Sequence, residues 1–461
     1  MIAFPRRLAR RFRAACAKCI SGRPRGPAPC VVIRQANGRI TLTATFPEVT
    51  LEFGCAAPAR GLTEILVVPM TAIETVAANS DELVEFDAGE NLDGVARWAG
   101  DGAPGSVPVT FVLPGKQHDP LPRPETKPVA ARVLVALHEA GRTSSREDGR
   151  FALSRVQVCG AKGRVVATDG KIAVLFDGFT FPFTGDVLVP AVPLFGSPEV
   201  RDETEVRVGR TASHLVVSAG DWTVWLAVAP AGKFPDVAGV VPRHAPTAVA
   251  LDRGDAAALL PQLPGLPCQG HELRPITLDA DGILAVRARD DSGTVKEVLL
   301  ARSSVAGPAA RVALDRRALA RVLALGCTAL RISPDKSLVG DGDGVTVRAA
   351  LLDPELTVAP EPRAPGPDAI VSIPAPNPKR STTVKPHEPN GPAPGGRHDP
   401  PANDAPDPLV AAEELRAALA DAATKATRLV AALKASKKEQ KVLANVLTNL
   451  KQLNLGTGGP R

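Results

Sequence analysis

Six cations crowd the first helical stretch of the chain: Arg6, Arg7, Arg10, Arg11, Arg13 and Lys18. At helical spacing over residues 5–19, Leu8, Phe12, Ala15 and Cys19 fall on one stripe. Arg7, Arg11 and Lys18 fall on another, with Arg6, Arg10 and Arg13 beside it. One stripe can pack, while the other holds like charges with no acid on the same helix to relieve them. Such a face is suited to phosphate, contacted without reading sequence. Residues 1–47 carry ten Lys and Arg and no Asp or Glu, although the whole chain of 461 residues is only +6. A basic end on a near-neutral body makes nucleic acid the first candidate partner.

Other chemistry is poorly supplied. Cys16 and Cys19 form a C-x-x-C, but no second pair or finger-spaced His follows, so they read as small apolar residues inside a helix. Asp341-Gly-Asp343-Gly reads as a hairpin turn, since the other oxygen ligands of a cation loop are missing. No nucleotide-binding glycine loop, G-x-S-x-G or paired His and carboxylate motif is present, so no enzyme and no cofactor are expected. Aromatics are 3% with no Tyr, which disfavours stacking on single-stranded bases. No window is apolar enough to span a bilayer. The odd number of scattered cysteines, seven, suggests a reduced, cytoplasmic setting.

The elements that must carry these residues repeat. Three hairpin signals centre on Gly38, Gly163 and Gly282, about 120 residues apart. A strand that opens a helix recurs as Leu66-Val-Val-Pro69, Val187-Leu-Val-Pro190 and, more loosely, Val312-Ala-Leu-Asp315. Gly115-Lys-Gln-His-Asp119 is echoed by Gly232-Lys-Phe-Pro-Asp236. Opening helices are expected over 5–19, 129–140 and, broken by Pro261 and Pro264, 255–263. The prediction is an α+β body of three tandem domains, 1–120, 121–244 and 245–352, with helices on one face of antiparallel sheets.

Beyond residue 352 the composition turns to Pro, Gly, Asn and Asp, predicting a disordered linker over 353–408. From 409 to 456 an amphipathic helix is expected, with Asp407 as N-cap, Pro408 at its first position and Gly456 beyond its end. Leu recurs there at three-four spacing, as in a coiled coil, and residues 457–461 form a tail.

Several motifs carry a family resemblance. Arg164-Val-Val-Ala-Thr168-Asp169-Gly170-Lys171-Ile172-Ala173 resembles the "ATDG.RLA" segment of the bacterial sliding clamp, the beta subunit of DNA polymerase III. Gly232-Lys-Phe-Pro-Asp236 with Val240-Val-Pro242 resembles that family's "GRFPDY..VLP" junction. Thr41-Leu-Thr-Ala-Thr45 resembles its "LTLTATD" strand, and Gly22-Arg23-Pro24 its Arg-containing turn. The likeness covers residues 1–352. The family's chain end has become Leu351-Leu-Asp-Pro-Glu-Leu and runs on into the extension.

The resemblance implies a head-to-tail homodimeric ring of DNA-clamp-like domains, loaded around duplex DNA and tethering the polymerase. Arg6, Arg7, Arg10, Arg11, Lys18 and Arg23 would contact phosphate. Polymerase and clamp loader would insert short Gln-Leu-x-Leu-Phe peptides into a pocket of Leu153, Thr168, Gly170, Ile172, Pro235 and Val240. Gln452, Leu453 and Leu455 resemble such a peptide and could dock the tail into that pocket. A bacterial, nucleoid-associated location follows, with no membrane partner. The alternative is a clamp-like paralogue serving as a coiled-coil scaffold without ring loading, and a metal nuclease stands third.

Overall fold

A computed structural model describes residues 1–360 apart from 21–25, 58–62, 90, 101–103, 146–150, 230–233, 243, 269 and 334–336. Arg23, the expected helix over 409–456 and the Gln452, Leu453, Leu455 motif lie outside the described residues. By its contacts the chain divides into two units, Met1–Pro374 and Ala375–Arg461, and the described residues all belong to the first.

Within that unit one order of elements occurs three times. The first stretch runs β1 (Ile2–Pro5), α1 (Arg6–Cys16), β2 (Cys30–Ala36), β3 (Arg39–Thr45) and β4 (Val49–Ala56). It continues with β5 (Glu64–Pro69), α2 (Met70–Val76), β6 (Leu83–Ala88), β7 (Asp93–Trp98) and β8 (Gly105–Thr110). The second has β9 (Lys127–Pro128), α3 (Arg132–Thr143), β10 (Arg155–Cys159), β11 (Arg164–Thr168) and β12 (Ile172–Phe176). Then come β13 (Asp186–Pro190), a 3-10 turn at Pro193–Gly196 where α2 has its counterpart, β14 (Val206–Arg210), β15 (His214–Ala219) and β16 (Trp222–Ala227). The third comprises β17 (Thr247–Ala250), α4 (Arg253–Leu259), β18 (Pro275–Asp281), β19 (Ile283–Arg289), β20 (Val295–Leu300) and β21 (Ser304–Ala306). It ends with β22 (Ala310–Asp315), α5 (Arg316–Ala324), β23 (Ala329–Ser333), β24 (Ser337–Gly342) and β25 (Val345–Ala350).

The strands form four antiparallel sheets, ordered β1-β6-β7-β8, β5-β2-β3-β4-β16-β15-β14-β9, β13-β10-β11-β12-β25-β24-β23-β17-β21 and β20-β19-β18-β22. The two long sheets are each shared by consecutive stretches. Their seams are β4 on β16, with Leu51 opposite Val224, and β12 on β25, with Val174 opposite Val347. Each repeat therefore donates half a sheet to its neighbour, and the backbone groups of both strand edges are satisfied where they meet.

The expected hairpins are β2–β3, β10–β11 and β18–β19. Asn37 and Gly38 both take positive φ, 50° and 69°, the conformation of a two-residue turn matched to strand twist. The strands of the second stretch are apolar on both faces because both are covered. Val165 and Ala167 belong to the main core, against which α3 packs. Val166, Ala173, Leu175 and Cys159 turn the other way, under Val237 with Phe234, Ala238 and Val241 around it.

Helix limits differ from the sequence expectation where caps decide them. α1 starts after Pro5 and ends at Cys16. α4 starts at Arg253 because the Asp252 carboxylate accepts from the N–H groups of Gly254 and Asp255, at 2.9 and 3.1 Å. Asp255 is instead buried, accepting from Arg302 N–H, Arg302 Nε and the Ser303 hydroxyl. Residues 353–360, expected to open the linker, instead belong to the body. Asp353 caps a 3-10 turn at Pro354–Leu356, and buried Val358 donates its N–H to Thr277 Oγ1 at 2.7 Å. No helix among the described residues is long and apolar enough to cross a membrane.

Candidate nucleic-acid and peptide surfaces

The basic stripe of α1 is split by its surroundings. Leu8, Ala9, Phe12, Ala15 and Cys16 are buried, as the stripe pattern requires. Arg6 is committed to the fold: Nε donates to Val76 O and Nη1 to Glu82 Oε2, both at 2.9 Å, and the guanidinium lies 4.6 Å from the Trp98 ring. Arg7 pairs with Asp81 at 2.7 Å. Relief of the like charges therefore comes from acids following α2, which inspection of one helix could not reveal. Arg10, Arg11, Arg13 and Lys18 remain exposed. Arg11 sits over the β4–β16 seam, 5.3 and 5.9 Å from the rings of Phe53 and Trp222. Exposed Arg142 on α3, Arg253 on α4 and Arg317 on α5 add cations that the sequence reading passed over.

The cysteines of α1 behave as core. Burial pushes the Cys16 thiol well above its usual range and Cys19 up to about 12, and the Cys19 sulfur meets Ala15 O at 3.5 Å. Asp341 is held by Arg331 at 2.9 Å and accepts from the Thr346 hydroxyl at 2.9 Å, while Gly344 takes a φ of 63° in the β24–β25 turn. Among the described residues no cluster of three His, Cys, Asp or Glu is placed to hold a metal.

Three of the expected pocket residues share the β11–β12 turn. Buried Thr168 donates its hydroxyl to Ile172 O at 2.7 Å and accepts from Gly170 N–H at 3.0 Å. Asp169 Oδ1 accepts from the N–H groups of Lys171 and Ile172, at 2.8 and 2.7 Å. Gly170 has a φ of 93° with open space where a side chain would stand, so its backbone is accessible. Half-buried Leu153 leads into β10, and its carbonyl accepts from Ser145 N–H at 2.8 Å. Pro235 and Val240 flank Val237 on the crossing segment, Val240 being 55% exposed. The end of β25 joins the same corner, where Ala350 N–H donates to Lys171 O. Two cavities elsewhere, of roughly 330 and 180 Å³, are lined by none of these six residues.

One contact that spacing gave no hint of ties the second stretch to the third. Arg321 on α5 pairs with the Glu139 carboxylate on α3, and donates to Glu139 O at 2.6 Å and to Thr143 Oγ1 at 3.1 Å.

Neither a protein-family model nor a curated protein matches the sequence. Solved structures do. The DNA polymerase III subunit beta of Pseudomonas aeruginosa aligns at a TM-score of 0.62 and 19% identity, over 76% of this chain and 99% of that one. The chain has the sliding-clamp fold. A putative DNA polymerase III beta subunit of Eubacterium rectale gives 0.63 and 15%, over 77% and 99%. The Pseudomonas sliding clamp bound to griselimycin gives 0.63 and 18%, over 76% and 99%. The clamp fold thus accounts for nearly all of those chains and for about three quarters of this one.

Proposed function

We propose that the chain is a DNA sliding clamp, an accessory subunit of a replicative DNA polymerase with no catalytic centre of its own. The carrying observation is the repeated seam. β4 pairs with β16 and β12 with β25, which leaves their counterparts β20 and β8 at the ends of the two four-stranded sheets. Pairing of β20 with β8 of a second copy repeats the seam and closes a head-to-tail homodimeric ring of domains 1–120, 121–244 and 245–352. Pro108 makes that seam weaker than the internal ones. Phe111 N–H donates to Leu92 O, so the position of Pro108 faces away from β7 and lacks the N–H that a partner strand would accept.

Duplex DNA would meet Arg7, Arg10, Arg11, Lys18 and Arg23, with Arg6 supporting α1 from within. The polymerase and clamp loader would use short peptides seated against Leu153, Thr168, Gly170, Ile172, Pro235 and Val240. Gln452, Leu453 and Leu455 offer a peptide from the same chain to compete for that place. The test is retention on circular DNA: a loaded ring stays on a closed circle and slides off once the DNA is linearised. Equal retention on both, or a monomer at all concentrations, supports the scaffold reading instead.

A further inference from the structure

The three stretches leave their last strands in one way. Val112 N–H donates to Val67 O on β5 at 2.8 Å, Ala229 N–H to Leu188 O on β13 at 2.9 Å, and Leu352 N–H to Ala313 O on β22 at 2.9 Å. Beside each acceptor starts a buried, wholly apolar row of cross-strand neighbours. The rows are Leu66, Ile33, Leu42, Phe53, then Val187, Val158, Val165, Phe176, then Val312, Leu278, Val286, Val298.

The first two rows continue across the seams. Phe53 is followed by Trp222, with ring centroids 4.4 Å apart, and Phe176 by Val345. Trp222 and Val345 each lie seven residues before the anchors Ala229 and Leu352. Seven residues before Val112 stands Gly105, on the free edge of β8. A third row closed in the same way sets Val298 opposite Gly105 of a second copy. Beside it Lys296 faces Val107, where the internal seams have Leu51 facing Val224 and Val174 facing Val347.

Gly105 has no side chain, and the space where one would stand is filled by the indole of its cross-strand neighbour Trp98. The ring therefore lies over the edge strand itself. It is half-buried, with the Arg6 guanidinium 4.6 Å from its centroid. Exposed Lys296 stands where Leu51 and Val174 are buried, so this seam has lost an apolar pair that both others keep. Its stem can lie along the seam, but its ammonium must reach water.

We propose that Trp98 anchors the contact with a second copy of this chain, packing on Val298 of that copy as Trp222 packs on Phe53 within one chain. The proposal rests on the ring reading and names the residues that hold such a ring shut. A large aromatic with one face covered and one free suits that role. Lys296 works against it, which leaves this seam the weakest of the three.

The full chain carrying Val107→Cys and Lys296→Cys is oxidised mildly, and its cross-linked dimer is mapped by peptide mass. The control carries Val107→Cys and Thr294→Cys. Because Pro108 turns its backbone to the partner strand, the 107–296 pair is of the class not joined by hydrogen bonds, with Cα atoms about 4.5 Å apart and within disulfide reach. At least about tenfold more of the 107–296 disulfide than of the 107–294 one is expected, and equal yields overturn the register. In a second arm, Trp98→Leu should weaken self-association in sedimentation velocity by about tenfold or more. Lys296→Leu, which alters a side chain exposed in the single chain, should tighten it by about threefold or more. Unchanged association of a Trp98→Leu chain that melts like the wild type overturns the anchor, and unchanged association of Lys296→Leu overturns the place given to Lys296. Should Trp98→Leu melt early, the cross-link and Lys296→Leu still decide the contact. A wild-type chain that stays monomeric sinks the ring reading and the anchor together, whereas a wild-type dimer retained on circular DNA beside an indifferent Trp98→Leu sinks the anchor alone.

Discussion

Arg6 and Arg10 illustrate how neighbours sort residues of one type. Both are arginines of α1, yet Arg6 is spent on Glu82, Val76 O and Trp98 while Arg10 faces solvent. With Nε and Nη1 both held inside the fold, Arg6 has little left to offer a phosphate, whereas the exposed Arg10 can meet one. Replacing Arg10, Arg11 and Lys18 with Ala should therefore weaken DNA association and lower the slope of log affinity against log salt by about 0.9 per lost contact, with no change in sequence preference. Arg6→Ala should leave that slope in place and lower the melting temperature instead. An unchanged slope in the triple variant would remove α1 from the DNA surface.

At the scale of elements, the hairpins that revealed the repeat differ in what surrounds them. Gly163 and Gly282 both hold positive φ, 59° and 68°. A Cβ on Gly163 would stand 1.9 Å from the Phe179 carbonyl oxygen, whereas one on Gly282 meets nothing within 4 Å. Gly282→Ala is thus expected to cost about 1–2 kcal/mol from backbone strain alone. Gly163→Ala adds a clash with main chain that cannot rotate away, for a loss of about 3 kcal/mol or more. Urea unfolding midpoints of the two variants measure the difference, and equal losses would mean that the Phe179 segment yields.

For the whole molecule, the coupling between repeats is carried by the sheet seams and by a few side chains such as Arg321 and Glu139. Their side chains are only 12% and 15% exposed, and without Arg321 the Glu139 carboxylate keeps only the exposed Arg142 at 3.3 Å and His138 at 3.9 Å. Arg321→Met should destabilise the body by about 2–4 kcal/mol. It should also loosen the third stretch from the second, read as earlier proteolysis between α3 and α5 at temperatures where the wild type resists. A fully cooperative transition at an unchanged midpoint would count against that coupling.

The threefold repeat was legible because its markers are local: a glycine that a turn needs, a proline or aspartate where a helix begins, and an alternation read over a few residues. The repeated α+β body and the buried stripe of α1 follow from those signals, which depend on backbone torsion and hydrophobic period. Pairings across distance were not legible. Asp81 and Glu82 reaching α1, Arg321 on Glu139, and residues 353–360 lying on β18 despite a linker-like composition depend on which strands meet. Meeting is decided by packing the whole repeat and not by any segment's own preference. For the same reason the Thr168–Ile172 turn could be located from its motif, whereas the edges left at β8 and β20 emerged only once every other strand had found its partner.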